Sequence, residues 1–236
     1  MTTDTHPMLK VTDLFVAYGQ SEALHGISFE GHRNETVAIM GRNGMGKTTL
    51  FKALIGILPA KSGSVGLNGN DLSKSQSYQR VAQGMAYVPQ GRMVFPYLTV
   101  EENIRTGMEA TPNAQIPAYI YETFPVLKEM KDRKGGNLSG GQQQQLVIAR
   151  ALVSNPKMLL LDEPTEGLQP SIIKDIARAL NKLKHERGFS VVVSEQVLSF
   201  TMAIADRFLI IEKGEFVYQG TKESVDTQKI HSYLTV

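Results

Sequence analysis

Cysteine is missing from this 236-residue chain, which excludes disulfides and thiolate-held metal centres and leaves it indifferent to redox compartment. Histidine is sparse: His6, His25, His32, His185 and His231 are scattered without H-E-x-x-H or similar spacing, which argues against a zinc enzyme. Charge of one sign is scarce too. The formal net charge is +2, and no window gathers Lys and Arg into a patch suited to nucleic acid. The densest basic stretch, Lys128 to Lys134, is interrupted by Glu129 and Asp132 and reads as a solvated helix end. No apolar run approaches the roughly 18 to 20 residues of a membrane helix. Met1 to Lys10 is polar, without the apolar core of a signal peptide. The expectation is a soluble, cytoplasmic chain that meets a membrane only through a partner. With 42% hydrophobic residues over 236 positions, it suits one large domain or a core with a subdomain.

What is present alternates between strand and helix patterns. Leu9 to about Glu30 alternates in a β manner, through Val11, Leu14, Val16 and Tyr18 and then Ile27 and Phe29. Thr36 to Met40 is a short apolar run that suits a buried strand, entered by a tight turn in which Asn34 tolerates the left-handed conformation. A glycine-rich loop follows, then a helix from Thr48 to about Leu58, stopped by Pro59. Gly63 to Gly69 reads as a strand, Ser75 to Gln83 as a helix and Met85 to Val88 as a strand ending at Pro89. From there to about Gly136 helical periodicity dominates, broken at Pro112, Pro117 and Pro125. A long helix starts near Ser139 and runs through Leu146, Ile148, Ala151 and Leu152. The buried strand Met158 to Leu161 precedes a helix from Pro170 to Arg187, with proline at its first turn. A strand from Ser190 to Val193, a short helix and a hairpin from Phe208 to Tyr218 around Lys213-Gly214 complete the pattern. This alternation predicts an α/β fold with a mostly parallel sheet covered on both faces. The core is expected over about 1–89 and 155–236, with a helical subdomain over about 90–154.

Two motifs carry chemistry directly. Gly41-Arg42-Asn43-Gly44-Met45-Gly46-Lys47-Thr48, followed by Thr49, fits G-x-x-x-x-G-K-[ST] and stands between a buried strand and a helix. Glycines there let successive backbone N–H groups curl around phosphate oxygens, at the positive end of the helix dipole. Lys47 supplies a charge for the β- and γ-phosphates, and the Thr48 hydroxyl is a candidate Mg²⁺ ligand. The strand Met158-Leu159-Leu160-Leu161 ends in Asp162-Glu163. Asp162 is a candidate for holding Mg²⁺, directly or through water, and Glu163 a candidate general base toward the attacking water.

The segment Leu138-Ser139-Gly140-Gly141-Gln142, at the start of a predicted helix, joins these two motifs to resemble the signature of ABC-type ATPases. The resemblance covers about Leu9 to Gly220 and implies a P-loop NTPase (RecA-like) core with an antiparallel β region and an inserted α-helical subdomain. It implies ATP and Mg²⁺, with the signature segment facing the P-loop of an opposing subunit so that two ATPs are sandwiched in a dimer. It places Tyr18 where an aromatic stacks on adenine, and Gln90 where a glutamine senses Mg²⁺ and the γ-phosphate. Two positions depart from the wider family: Gln196 stands at the switch position usually held by histidine, and Glu166-Gly167-Leu168-Gln169 lacks the usual terminal aspartate. Gln196 either positions the attacking water and the base or only caps the following helix.

The stretches Gln90-Gly91-Arg92, Phe95-Pro96, Leu98 to Asn103, Phe124 to Met130 and Gln142 to Gln145 resemble subunits of branched-chain amino-acid and urea-type importers, most of all the urea type. The partners this implies are a second ATPase subunit (a paralogue or a copy), two membrane permease subunits and an external solute-binding protein, with no nucleic acid. The chain would sit at the inner face of the plasma membrane. An exporter or lipid-extraction ATPase shares the same core. A soluble ABC ATPase acting on DNA or ribosomes would usually fuse two such domains or carry a long insertion, and this chain has one P-loop and one signature.

Overall fold

The computed structural model describes residues 6–108 and 114–235; Pro112, expected to break a helix, lies outside them. In chain order the strands are β1 (Leu9–Tyr18), β2 (Ser21–Gly31), β3 (Thr36–Met40), β4 (Ser62–Leu67), β5 (Asn70–Asp71), β6 (Met85–Val88), β7 (Met158–Asp162), β8 (Ser190–Glu195), β9 (Arg207–Glu212) and β10 (Glu215–Thr221). The helices are α1 (Lys47–Ile55), α2 (Ser77–Ala82), α3 (Val100–Arg105), α4 (Ala118–Thr123), α5 (Pro125–Glu129), α6 (Gly140–Leu152), α7 (Pro170–Arg187), α8 (Leu198–Ile204) and α9 (Thr227–Leu234).

One sheet has the order β10-β9-β3-β8-β7-β6 and the other β2-β1-β4-β5. In the first, β9, β3, β8, β7 and β6 run parallel, and only β10 pairs antiparallel, through a turn at Lys213 and Gly214. Both turn residues have positive φ, 48° and 80°, as a tight two-residue hairpin requires. The second sheet is antiparallel throughout.

Strands β3 and β7 are buried along every residue, which explains why they read as continuous apolar runs. Alternate side chains pass to opposite faces. Ala38, Met40, Leu159, Leu161, Val191 and Val193 pack with α3 and α6 to α8. Val37, Ile39, Met158, Leu160 and Val192 pack with α1 and the antiparallel sheet. The parallel sheet is therefore the middle layer. Its strands β3, β7 and β8 end together, at the edge where the loops of interest leave.

Helix α1 stops at Ile55, not at Leu58 before Pro59. Gly56 takes the left-handed φ of 82° and its N–H reaches back to Ala53 O at 3.1 Å, a glycine C-cap. The buried Arg80 guanidinium closes the same helix end from α2, donating to Ala53 O at 2.9 Å and Leu54 O at 2.7 Å. Helix α2 is shorter than expected, opened by a capping box on Gln76. Strand β8 runs two residues beyond Val193, because Ser194 and Glu195 pair with Ile39 and Met40 of β3. Helix α9 was not expected at all; it docks on the sheet through the fully buried Ile230.

Arg80→Ala strips charge-assisted bonds from two buried carbonyls, and is expected to cost about 2–3 kcal/mol of stability. Urea unfolding followed by circular dichroism measures it. A loss below about 0.5 kcal/mol would mean that water serves those carbonyls equally well.

Candidate active site

Strand β3 delivers Gly41 into the loop that turns back into α1, and at Gly41 and Gly46 the surroundings leave no space for a side chain. A Cβ on Gly41 would lie 2.4 Å from Ile211 O, and one on Gly46, at φ 106°, would lie 2.9 Å from Leu24 Cδ2. Lys47, the first residue of α1, is buried at 4% exposure. Its ammonium donates to Gly41 O at 2.7 Å and Arg42 O at 3.0 Å and lies 3.1 Å from Glu163 Oε1, one partner for each proton. The side chain of Arg42 turns away to α9, donating to Tyr233 O at 3.2 Å and Thr235 O at 2.5 Å. Met45 O receives Gly214 N at 3.1 Å, which ties the loop to the β9–β10 turn.

Asn43, Gly44, Gly46, Lys47, Thr48 and Thr49 line a cleft of about 660 Å³, together with Tyr18, Gln90 and Glu163. Tyr18 stands at its rim, 51% exposed, with its hydroxyl 3.4 Å from Thr49 Oγ1. The opposite wall comes from Ser21 to Ala23, His25, Lys213 and Gly214. Sequence reasoning missed these wall residues, since nothing local in β2 or the β9–β10 turn marks them. Closeness in the chain to Tyr18 is the only signal for Ser21 to Ala23 and His25, and Lys213 and Gly214 carry none.

Asp162 ends β7, buried, and accepts from Ser194 Oγ at 2.5 Å and from the Tyr87 hydroxyl at 3.3 Å. Burial pushes its carboxyl above the usual range, and hydrogen bonds from Ser194 and Thr48 oppose that shift. Burial raises the Tyr87 hydroxyl as well, with the Asp162 carboxylate adding to it, so the phenol stays a donor.

Glu163 breaks the strand with a left-handed φ of 47°, which is costly for a side chain of this type, and its N–H is held by Ser194 O at 3.0 Å. The turn aims the carboxylate at the P-loop. There it accepts from Lys47, from Gln196 Nε2 at 3.2 Å and from Gln90 Nε2 at 3.2 Å.

Glu195 and Gln196 point different ways. The buried Glu195 carboxylate takes the N–H groups of Gln196 at 2.8 Å and Val197 at 3.0 Å ahead of α8, and also binds Thr165 N at 3.0 Å and the Thr165 hydroxyl. Helix α8 takes Val197 as its N-cap with no side-chain bond to its first turn, so the cap expected as one reading of Gln196 is not made. The Gln196 amide instead bridges Asn43 Oδ1, at 2.6 Å, and Glu163.

Leu138, Ser139, Gly140, Gly141 and Gln142 open α6 away from this cleft. Ser139 is the N-cap, in a capping box with Gln142: Ser139 N donates to Gln142 Oε1 at 2.9 Å. None of the five lines the cleft that holds Lys47. Gly140 lies against Arg92, where a Cβ would sit 2.5 Å from the guanidinium.

The oxygen donors Asp162, Thr48 and Gln90 suit Mg²⁺, a hard cation that takes few protein ligands and completes its shell with water and phosphate oxygens. Among the described residues no group of three or more His, Cys, Asp or Glu could hold a metal ion. Burial desolvates the Asp162 carboxylate, and a cation would compensate that desolvation.

Residues 24–166 match the family model described as ABC transporter. The chain is 40% identical over 217 residues to the high-affinity branched-chain amino acid transport ATP-binding protein BraG of Pseudomonas aeruginosa, covering 91% of this chain and 93% of that protein. It is 32% identical over 235 residues to the lipopolysaccharide export system ATP-binding protein LptB of Haemophilus influenzae, covering 96% and 97%. Among solved structures, the ATP-binding cassette of an ABC transporter superposes with a TM-score of 0.83 at 26% identity, covering 98% of this chain and all of that one.

Proposed function

The chain belongs to the ABC transporter family, as an ATP-hydrolysing transport enzyme, and from that premise we propose that it drives import of a branched-chain amino acid or a related small polar solute such as urea. What supports import is the 40% identity to the branched-chain amino-acid relative along nearly the full length of both chains, against 32% to the lipopolysaccharide-export relative. Among the described residues no helix is long and apolar enough to cross a membrane. In this reading passage across the bilayer falls to two permease subunits, and this chain docks on their cytoplasmic side with a second ATPase subunit, a copy or a paralogue. An external solute-binding protein completes the assembly.

In this reading the P-loop backbone and Lys47 bind the phosphates, and Tyr18 stacks on the base. Glu163 takes a proton from the attacking water, and Gln90 and Gln196 hold that carboxylate in place. Asp162, Thr48 and Gln90 would hold Mg²⁺, which neutralises phosphate charge when bound. The signature segment serves the cleft of the neighbouring subunit.

Uptake of radiolabelled leucine and of urea by cells lacking the chain tests the import assignment. One of the two is expected to fall, and to return with the wild-type chain but not with Glu163→Gln. Normal uptake of both alongside a defective outer-membrane lipid would move the chain to export.

Gln196 offers a narrower test. Its amide donates to the base without titrating, unlike a histidine with its pKa of about 6.5. In the assembled transporter Gln196→Ala is expected to lower turnover about ten-fold or more, the loss of one transition-state hydrogen bond. Gln196→His is expected to keep activity and gain a pH dependence near the imidazole pKa. Full turnover in the alanine variant would remove Gln196 from the chemistry.

A further inference from the structure

Gln90 has one amide NH₂ group, and two carboxylates take it. Its Nε2 donates to Glu163 Oε2 at 3.2 Å and to Glu166 Oε2 at 3.1 Å. An ionised carboxylate only accepts, so the amide must turn its nitrogen toward this pair and its oxygen away. The orientation of Gln90 is therefore imposed by its neighbours, and Gln90 also lines the phosphate cleft.

Glu166 is itself held in place. Its N–H closes a tight turn onto Glu163 O at 3.3 Å, and its carbonyl receives Arg92 Nη2 at 2.8 Å. Arg92 adopts a left-handed φ of 54° two residues after Gln90, and its guanidinium rests against Gly140 at the start of α6. One short segment thus clamps both the side chain and the backbone of Glu166.

We infer that Glu166 is a positioning residue: it locks the Gln90 amide so that Oε1 is presented to the divalent cation of the bound nucleotide. This rests on the reading of the cleft as a MgATP site. The two carboxylates divide the work. A proton taken by Glu163 weakens it as an acceptor for the Gln90 amide, whereas Glu166, placed outside the proton transfer, keeps the amide turned while Glu163 acts.

The test is the gain in affinity for the β,γ-imido analogue of ATP on passing from EDTA to Mg²⁺, measured by calorimetry on the full chain. Glu166→Ala is expected to cut that gain about ten-fold, the low end for a lost partner behind a metal ligand, since Glu163 still holds the amide. Affinity in EDTA should not change. Glu166→Gln is expected to keep the gain within about two-fold, because an amide carbonyl accepts the same bond. A full gain in Glu166→Ala overturns the inference. So does an equal loss in both variants, which would assign the effect to charge at a distance. Gln90→Ala separates this from the reading beneath it. If that variant keeps the full gain, Gln90 is no ligand and the role of Glu166 falls while the MgATP reading stands; if the wild-type chain itself shows no gain with Mg²⁺, the MgATP reading falls; if Gln90→Ala loses the gain while Glu166→Ala keeps it, only the role of Glu166 falls.

Discussion

Glu163→Gln is expected to lower ATP turnover about 10²- to 10⁴-fold, the usual worth of a positioned general base. The amide keeps the length and shape of the side chain and retains one acceptor oxygen, enough for the side that holds Lys47 and Gln196 or for the side that holds Gln90 but not for both, and the backbone bond from its N–H to Ser194 O is untouched, so the local turn should persist. Affinity for ATP should hold or rise. Lys47 spends one of its three protons on Glu163 at 3.1 Å, and removing that charge leaves the ammonium freer for phosphate. Steady-state phosphate release, with nucleotide affinity measured in parallel, reads both effects. Turnover within a few-fold of wild type would show that the proton goes elsewhere.

Lys47→Ala should act on binding itself. It removes the buried cation at the start of α1, and two charge-assisted bonds to phosphate at about 1.5–3 kcal/mol each correspond to at least a hundred-fold loss of affinity. It also leaves the Glu163 carboxylate, whose side chain is only 10% exposed, without its cation. Stability should therefore fall as well, and Lys47→Ala combined with Glu163→Gln should recover part of it. Unchanged affinity in calorimetry would contradict a phosphate role for Lys47. A double variant no more stable than Lys47→Ala would mean that the pair is not energetically coupled.

Much of this arrangement was legible in the chain because it lies in short local patterns. The P-loop is a strand, a glycine run and a helix in succession, and Asp162-Glu163 follows an unbroken apolar strand, as expected of a central parallel strand. The opposed directions of Glu195 and Gln196 follow from strand alternation carried to the strand's end. What was illegible is set by contacts between distant segments. Pro59 predicts an end of α1 near Leu58, whereas Gly56 ends it with the help of Arg80, which lies 26 and 27 residues away from the carbonyls it serves. The link from Gln196 to Asn43 spans 153 positions, and the turn of Arg42 toward α9 spans more than 190. The extension of β8 to Glu195 depends on β3 beside it. The second wall of the cleft is assembled from β2 and the β9–β10 turn, neither of which carries a phosphate or metal motif. Glu166 was visible only as a departure from a family pattern. Its hold on Gln90 emerges once β6 and β7 are seen side by side.

That each chain supplies half of a site, with the cleft in one subunit completed by the signature segment of another, is tested most directly by Ser139→Arg. Ser139 opens α6 apart from the cleft that holds Lys47. In the isolated chain the substitution should leave affinity for ATP unchanged, while in the assembled transporter turnover should fall by at least about half, and far more if both ATPase subunits are copies of this chain. Loss of nucleotide affinity in the isolated chain, or undiminished turnover in the assembly, would contradict a site shared between subunits.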